Sequence, residues 1–218
     1  MTYILGGDYS HWNSPDWAEL VAQGHKFAWI KCTEGTTFKD PRYLAHLAAA
    51  KSAGLLVGPY HYFRAAYDGT AQAEHLFKAA IGNLSLPPAI DVESRNNGGF
   101  SQKLFASTLQ ACVERTESLF GRKPIIYTSQ SMWGALAGFQ AWAGAHPLWV
   151  AHYSTATTAP LIPSSWNDWQ VWQFTSTPLD TNRMRQEFWN SLTGAPQEPV
   201  VVKLTAPRSA DRIEITLS

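Results

Sequence analysis

The stretch Leu86-Pro87-Pro88-Ala89-Ile90-Asp91-Val92-Glu93-Ser94 decides the fold prediction for this chain. It has the pattern of a short buried strand that ends in two carboxylic acids, Asp91 and Glu93. Residues i and i+2 of a strand point to the same face, with their Cα atoms about 6.5–7 Å apart. Both acids are therefore predicted to leave the same face of this strand.

Similar strand patterns recur on both sides of this stretch and alternate with helical patterns. Strands are predicted at 3–8, 27–32, 55–63, 86–93, 124–128, 147–153 and 169–174. Helices are predicted over 15–23 with Ser14 as the N-cap, from Asp40-Pro41 to Gly54, from Asp68 or Thr70 to about Ile81, from Ser101 to Gly121, and briefly from about Ser131. Because strand and helix alternate at least five times, the pattern favours a parallel sheet with crossover helices.

The α/β fold is expected to be a reduced barrel. Roughly 190 residues is short for eight complete βα units, and the last strands lack helices between them. An open Rossmann-like sheet is the alternative, but Gly6-Gly7-Asp8 is not followed by GxGxxG spacing. We expect the barrel in residues 1–192, with a linker and a short β-rich C-terminal extension in 193–218. Pro59 predicts that the third strand is bulged or borders a gap.

Composition excludes several classes of function. Of the 218 residues, 17 are basic and 17 acidic without a basic run, which argues against nucleic acid as a partner. No segment is long and apolar enough to predict membrane insertion. The two cysteines, Cys32 and Cys112, are predicted to be free thiols, and the histidines lack the HExxH spacing of a zinc hydrolase. We therefore expect no metal and no cofactor.

Chemically useful side chains cluster at the predicted carboxyl ends of the strands, where parallel barrels place their sites. They are Asp8, Lys31 with Glu34, Tyr60, Tyr62, Asp91, Glu93, Trp149 and Tyr153. Two carboxyl groups roughly 5–9.5 Å apart are what glycoside hydrolysis requires. Structural roles remain open, because the acids can cap helices and Lys31 can simply pair with Glu34.

Several segments, in order along the chain, resemble glycoside hydrolase family 25, the Chalaropsis-type lysozymes, which include phage endolysins. These segments are Gly7-Asp8-Tyr9-Ser10-His11-Trp12, 29–36, 58–63, Ile90-Asp91-Val92-Glu93, 148–153 and Trp172-Gln173-Phe174. The resemblance spans about residues 3–190 and implies an irregular, flattened TIM-like barrel of about five βα units plus three strands.

The resemblance also implies roles for individual residues. Glu93 matches the general acid, Asp91 the companion carboxylate that manages the substrate's 2-acetamido group, and Asp8 the acid of the first strand. Asp180 is the candidate for a fourth acid, although Pro178-Leu179-Asp180-Thr181-Asn182 departs from the Val-Asp-Leu-Asn run of the family. The substrate-binding residues implied are Tyr60, Tyr62, Lys31, Glu34, Trp149, Tyr153, Trp172 and Gln173.

The implied activity is hydrolysis of the β-1,4 bond between N-acetylmuramic acid and N-acetylglucosamine in bacterial peptidoglycan. Two alternatives stay open: an inactive domain that binds cell-wall glycan, and a glycosidase that acts on another N-acetylated glycan such as chitin. The expected partner is peptidoglycan, and the expected state is a monomer, with association through the tail left open. No cleavable leader precedes Tyr3, so the expectation is cytoplasmic accumulation and release through a phage-encoded pore.

Overall fold

Eight strands form a closed barrel in the computed structural model of the chain, which describes residues 3–82, 84–136, 138–154 and 158–194. The sheet has nine strands, of which all but β3 form the barrel: β1 Tyr3–Tyr9, β2 His25–Glu34, β3 Phe38–Lys39, β4 Leu56–Tyr62, β5 Ala89–Asp91, β6 Ile125–Ser129, β7 Leu148–Ala151, β8 Val171–Thr175 and β9 Thr181–Arg185. They are ordered β1-β9-β8-β7-β6-β5-β4-β2, and the parallel pairing of β1 with β2 closes the ring. The two-residue β3 is an antiparallel addition to the end of β2.

Helices follow the first five long strands of the barrel. They are α1 Trp17–Ala22, α2 Tyr43–Ser52, α3 Gly69–Ala79, α4 Gln102–Phe120 and α5 Gln130–Gly134, with a 3-10 turn at Ala141–Ala145 and a last helix, α6 Gln186–Thr193. Within the described residues this gives five βα units followed by β7, β8 and β9, which confirms the predicted barrel class. None of these helices is long and apolar enough to cross a membrane.

Local sequence explains where individual helices begin. The hydroxyl of Ser101 accepts a hydrogen bond from the Leu104 N–H at 3.3 Å, as predicted for the start of α4. The prediction for α1 was wrong by two residues, because Asp16 rather than Ser14 is its N-cap. The Asp16 carboxylate accepts the amides of Ala18 and Glu19, each at 3.1 Å.

The sheet separates two apolar layers by strict alternation of side chains. Inside the barrel lie Phe27, Trp29, Ala89, Ile125, Trp149, Val171 and Met184. Between the sheet and the helices lie Ile30, Ile90, Val92, Ile126, Val150 and Trp172, together with apolar residues of the helices. The same alternation that buries these residues sends the polar side chains at the strand ends into the barrel mouth.

A bulge in β2 changes this alternation close to the mouth. Lys31 pairs with Tyr60 of β4 and Thr33 pairs with His61, so that Cys32 is the extra residue. The bulge predicted from Pro59 therefore lies on the partner strand, not on β4 itself. Because of the extra residue, Lys31 and Glu34 both face the barrel mouth even though they are three residues apart.

Three elements were not predicted: β3, β9 and α6. Strand β9 pairs antiparallel with both β8 and β1, and only its second and fourth residues are buried. Helix α6 packs Phe188, Trp189 and Leu192 against the apolar cluster inside the barrel. Of the linker and β-rich extension predicted for 193–218, Thr193 ends α6 and Gly194 caps it, and residues 195–218 lie outside the described part of the chain.

Candidate active site

A cleft of about 470 Å³ opens at the end of the barrel where the parallel strands finish. It gathers all but one of the predicted site residues: Asp8, Lys31, Glu34, Tyr60, Tyr62, Asp91, Glu93, Trp149, Tyr153, Gln173 and Asp180. Asp180 joins them because it directly precedes β9, and an antiparallel strand begins at the rim where its parallel neighbours end. The topology therefore brings four carboxylic acids, Asp8, Asp91, Glu93 and Asp180, from three strand ends into one space.

Trp172 is the predicted site residue that lies elsewhere. Gln173 faces the barrel interior, so its neighbour Trp172 must face the helices, where the side chain is fully buried. Its indole N–H donates to the carbonyl oxygen of His152 at 2.7 Å. The prediction that Trp172 contacts substrate was therefore wrong, and this residue supports the wall of the barrel.

Glu93 and Asp91 form a pair in which ionisation is disfavoured. Burial is the main cause that raises the pKa of Glu93, and it outweighs the hydrogen bond from Tyr62 Oη at 3.4 Å and the positive charges of Lys31 and Arg95. Burial and then the charge of Glu93 raise the pKa of Asp91 well above its usual range. Oδ1 of Asp91 is buried without a hydrogen-bond partner among the described residues. The pair therefore retains a proton at pH values where exposed carboxyls have lost theirs.

Asp8 and Asp180 form the second acidic pair of the cleft. Burial, followed by the negative charge of Asp180, raises the pKa of Asp8 to about 8. Burial and the charge of Glu93 raise the pKa of Asp180 to about 6. With like charges so close, the acids lose their protons as a cluster rather than independently.

Polar side chains of three strands and the segment after β7 fix Asp8. Its Oδ2 accepts hydrogen bonds from Nε2 of Gln173 and from Nδ2 of Asn182, both at 2.8 Å. Oε1 of Gln173 accepts the hydroxyls of Tyr127 at 2.7 Å and Tyr153 at 2.8 Å. These bonds favour the ionised form of Asp8 and oppose the effect of burial.

Lys31 lies at the centre of a charged group on the β2 side of the cleft. Its ammonium donates to Oε2 of Glu34 at 2.8 Å, and Nη1 of Arg64 donates to Oε1 of the same carboxylate at 2.9 Å. The ammonium also lies 4.8 Å from the centre of the Tyr62 ring. The predicted ion pair between Lys31 and Glu34 is thus confirmed, and both residues also line the cleft.

Aromatic rings that the sequence analysis did not assign extend the cleft on the β1 side. Trp12 is 83% exposed although it is a large apolar side chain, and its ring lies 4.4 Å from that of His11. Nδ1 of His11 is 2.6 Å from Oδ2 of the buried Asp40, and this contact fixes the His11 ring against which Trp12 packs. The proximity of Trp12 to Asp8 in sequence was the signal available for it.

A barrel with a carboxylate-lined cleft at the carboxyl ends of its strands is an architecture typical of glycoside hydrolases. The comparison with known families makes the assignment specific. A sequence profile described as "Glycosyl hydrolases family 25" matches residues 7–182, so the chain belongs to this family, as predicted.

Individual relatives agree with the assignment. "Lysozyme M1" of Streptomyces globisporus is 34% identical over 185 residues, covering 80% of this chain and 62% of that protein. The chain thus spans less than two thirds of this relative. The "N,O-diacetylmuramidase" of Chalaropsis sp is 28% identical over 184 residues, covering 78% of this chain and 87% of that protein. The crystal structure of a bacterial lysozyme from Streptomyces coelicolor has a TM-score of 0.81 at 30% identity, covering 90% of this chain and 100% of that one.

Proposed function

We propose that this chain hydrolyses the β-1,4 bond between N-acetylmuramic acid and N-acetylglucosamine in bacterial peptidoglycan. The observation that carries the proposal is the position of Glu93, a carboxyl of raised pKa, beside Asp91 and across from two further acids in one cleft. The names of the relatives, a lysozyme and a muramidase, support this polymer as the substrate.

Glu93 is the proposed general acid and base. In the first step it gives its proton to the glycosidic oxygen while the bond from that oxygen to C1 breaks. The carbonyl oxygen of the substrate's own 2-acetamido group attacks C1 and forms a cyclic oxazolinium ion, whose N–H donates to Asp91. In the second step ionised Glu93 takes a proton from water, and the water oxygen attacks C1 and reopens the ring. One water is consumed and Glu93 regains its proton.

Asp8 and Asp180 are proposed to act through their charge. Positive charge develops at C1 and on the sugar ring oxygen as the bond breaks, and anions held in a cleft stabilise it more than they would in water. Asp91 is assigned the acetamido group rather than nucleophilic attack on C1. We expect Asp91→Asn to lose activity moderately rather than completely, because an orienting group contributes less than a nucleophile.

The identity of the new reducing sugar tests the proposal. Purified peptidoglycan is digested, the products are reduced with borohydride and the terminal sugar alcohols are identified. Muramitol is the expected product, with none formed by the isosteric Glu93→Gln variant. Glucosaminitol would instead indicate a glucosaminidase, and binding without new reducing ends would indicate an inactive glycan-binding domain; either result overturns the proposal.

A further inference from the structure

Asn182 connects the buried Trp149 to the carboxylate of Asp8. The indole N–H of Trp149 donates to Oδ1 of Asn182 at 2.8 Å, and Nδ2 of Asn182 donates to Oδ2 of Asp8 at 2.8 Å. Trp149 is 2% exposed and Asn182 is 0% exposed, so bulk water does not compete for either bond. Strand β9 places Asn182 directly opposite Gln173 of β8 and Gly6 of β1, on the face that carries Asp8.

The direction of this chain of hydrogen bonds follows from chemistry alone. An indole N–H can only donate, whereas an amide side chain presents an acceptor at one end and two donors at the other. The end of Asn182 that faces Trp149 must therefore be its oxygen, and the end that faces Asp8 must be its nitrogen. A reversed amide would oppose two donors in a buried space, with the cost of an unsatisfied polar group.

Gln173 does not fix the direction by itself. Its nitrogen also donates to Oδ2 of Asp8, but its oxygen contacts two tyrosine hydroxyls, of Tyr127 and Tyr153, and a hydroxyl can donate or accept. Reversal of Gln173 would leave its contacts with the tyrosines satisfied. The indole N–H of Trp149 is the group of this network that can only donate. Because it binds the oxygen of Asn182, the nitrogen of Asn182 must face Asp8 and donate to it.

We propose that Trp149 and Asn182 are positioning residues: the indole N–H fixes the Asn182 amide, and the amide holds Oδ2 of Asp8 as a hydrogen-bond acceptor in the cleft. Oδ2 is then the oxygen that stays free of a proton, and any proton on Asp8 resides on Oδ1. The consequence for catalysis rests on the proposed function, in which Asp8 acts as an anion. Trp149, predicted from sequence to contact substrate, acts here through its nitrogen from inside the barrel.

Asp8 is surrounded by titratable groups, of which the acids Asp180 and Glu93 oppose its ionisation. The titratable groups that face it from neighbouring elements are Tyr60, Asp91, Glu93, Tyr127, Tyr153 and Asp180. Tyr9 is the next residue on the same strand, with its side chain on the opposite face, and the cation of β2, Lys31, is paired with Glu34. The amides of Asn182 and Gln173 lower the pKa of Asp8 against burial and against the charge of Asp180. Loss of the Asn182 donor must therefore raise the pKa of Asp8.

The test is an NMR titration of the Asp8 carboxyl carbon, assigned by its absence from Asp8→Asn. Trp149→Phe keeps an aromatic ring and removes the indole N–H, which frees the Asn182 amide to reverse. We expect the pKa of Asp8 to rise by about one pH unit, the size expected for losing a hydrogen bond to a charged group. The acid-side limb of the pH profile of kcat/KM on peptidoglycan should move upward with it.

Trp133→Phe is the matched control. Trp133 is also fully buried, and its indole N–H donates to Oγ of Ser165 at 2.8 Å, in the layer between sheet and helices rather than in the cleft that holds Asp8. This variant should lose similar stability and leave the Asp8 titration unchanged. An Asp8 pKa that is equal in wild type and Trp149→Phe, or that moves equally in both tryptophan variants, overturns the proposal.

Two further measurements keep the outcome decisive. If Trp149→Phe does not fold, Asn182→Ala removes the same donor to Asp8 and is expected to give the same upward change. In the wild type, the chemical shift of the Trp149 indole proton should change with pH over the same range in which Asp8 titrates. A chemical shift that does not change over that range would argue against a link between Trp149 and Asp8 through Asn182. Absence of peptidoglycan hydrolysis by the wild type would refute the proposed function alone, since the titrations do not depend on activity.

Discussion

Replacing Asp8 by asparagine is expected to stabilise the fold in a manner that depends on pH. Burial and the charge of Asp180 raise the pKa of Asp8 from its ordinary value of 3.8 to about 8 in the folded chain. The folded state therefore holds a proton that the unfolded state releases, and stability contributed at low pH is lost as the pH rises from about 4 to about 8. At about 1.4 kcal/mol per pH unit, the full difference is on the order of 6 kcal/mol.

The stability that Asp8→Asn gains in an experiment is smaller than this difference, because neighbouring acids share the proton and water reaches the cleft. We expect Asp8→Asn to be more stable than wild type by about 2–3 kcal/mol at pH 8 and by close to zero at pH 4. The asparagine keeps a side-chain oxygen that can accept the amides of Asn182 and Gln173. Denaturation by urea at pH 4, 6 and 8 measures the difference, with the exposed Glu114→Gln on α4 as a control. A gain that is the same at pH 4 and pH 8 would refute the reasoning.

Three further predictions concern activity and binding. Glu93→Gln should lower kcat by about 10²–10⁴-fold with an unchanged Tm, as expected for loss of a general acid, measured as clearing of a peptidoglycan suspension; near-normal clearing would contradict the role. The charge of Lys31 lowers the pKa of Asp91 and of Glu93, so Lys31→Met should move the alkaline limb of the pH–rate profile to higher pH. An unchanged alkaline limb would argue against an effect of Lys31 on the catalytic carboxyls. In the inactive Glu93→Gln background, Trp12→Ala should weaken the binding of long glycan fragments by up to about tenfold, whereas Trp12→Phe should retain most of the affinity. The control is Phe139→Ala, which removes an exposed ring outside the cleft and should leave the affinity unchanged.

The sequence was sufficient to place the acids and tyrosines at the strand ends. Alternation along a strand puts Tyr60 with Tyr62, and Asp91 with Glu93, on one face, and parallel strands all finish at one rim. These are local properties, so each could be predicted from a few neighbouring residues. The same rule shows why the prediction of both Trp172 and Gln173 as substrate contacts was wrong, because adjacent residues of a strand point to opposite faces.

The parts that were missed depend on contacts that are distant in sequence. Strand β9 is short, its buried residues are only Asn182 and Met184, and its pairing with β1 brings together the two ends of the sequence that forms the barrel. Asn182 has no apolar pattern to mark it, because its place inside the barrel is secured by Trp149 and Asp8 rather than by hydrophobic burial. Likewise, the bulge at Cys32 that turns Glu34 into the cleft is visible only once β2 and β4 are in register.

In the proposed reaction, the cleft around Glu93 adds water across the bond at C1 of N-acetylmuramic acid. Digestion of peptidoglycan in water enriched in oxygen-18, followed by mass spectrometry of the released saccharides, measures this directly. The expected result is one labelled oxygen at C1 of the muramic acid end with the wild type and no labelled product with Glu93→Gln. Label at C1 of N-acetylglucosamine, unlabelled cleavage products, or equal labelling by both proteins would contradict it.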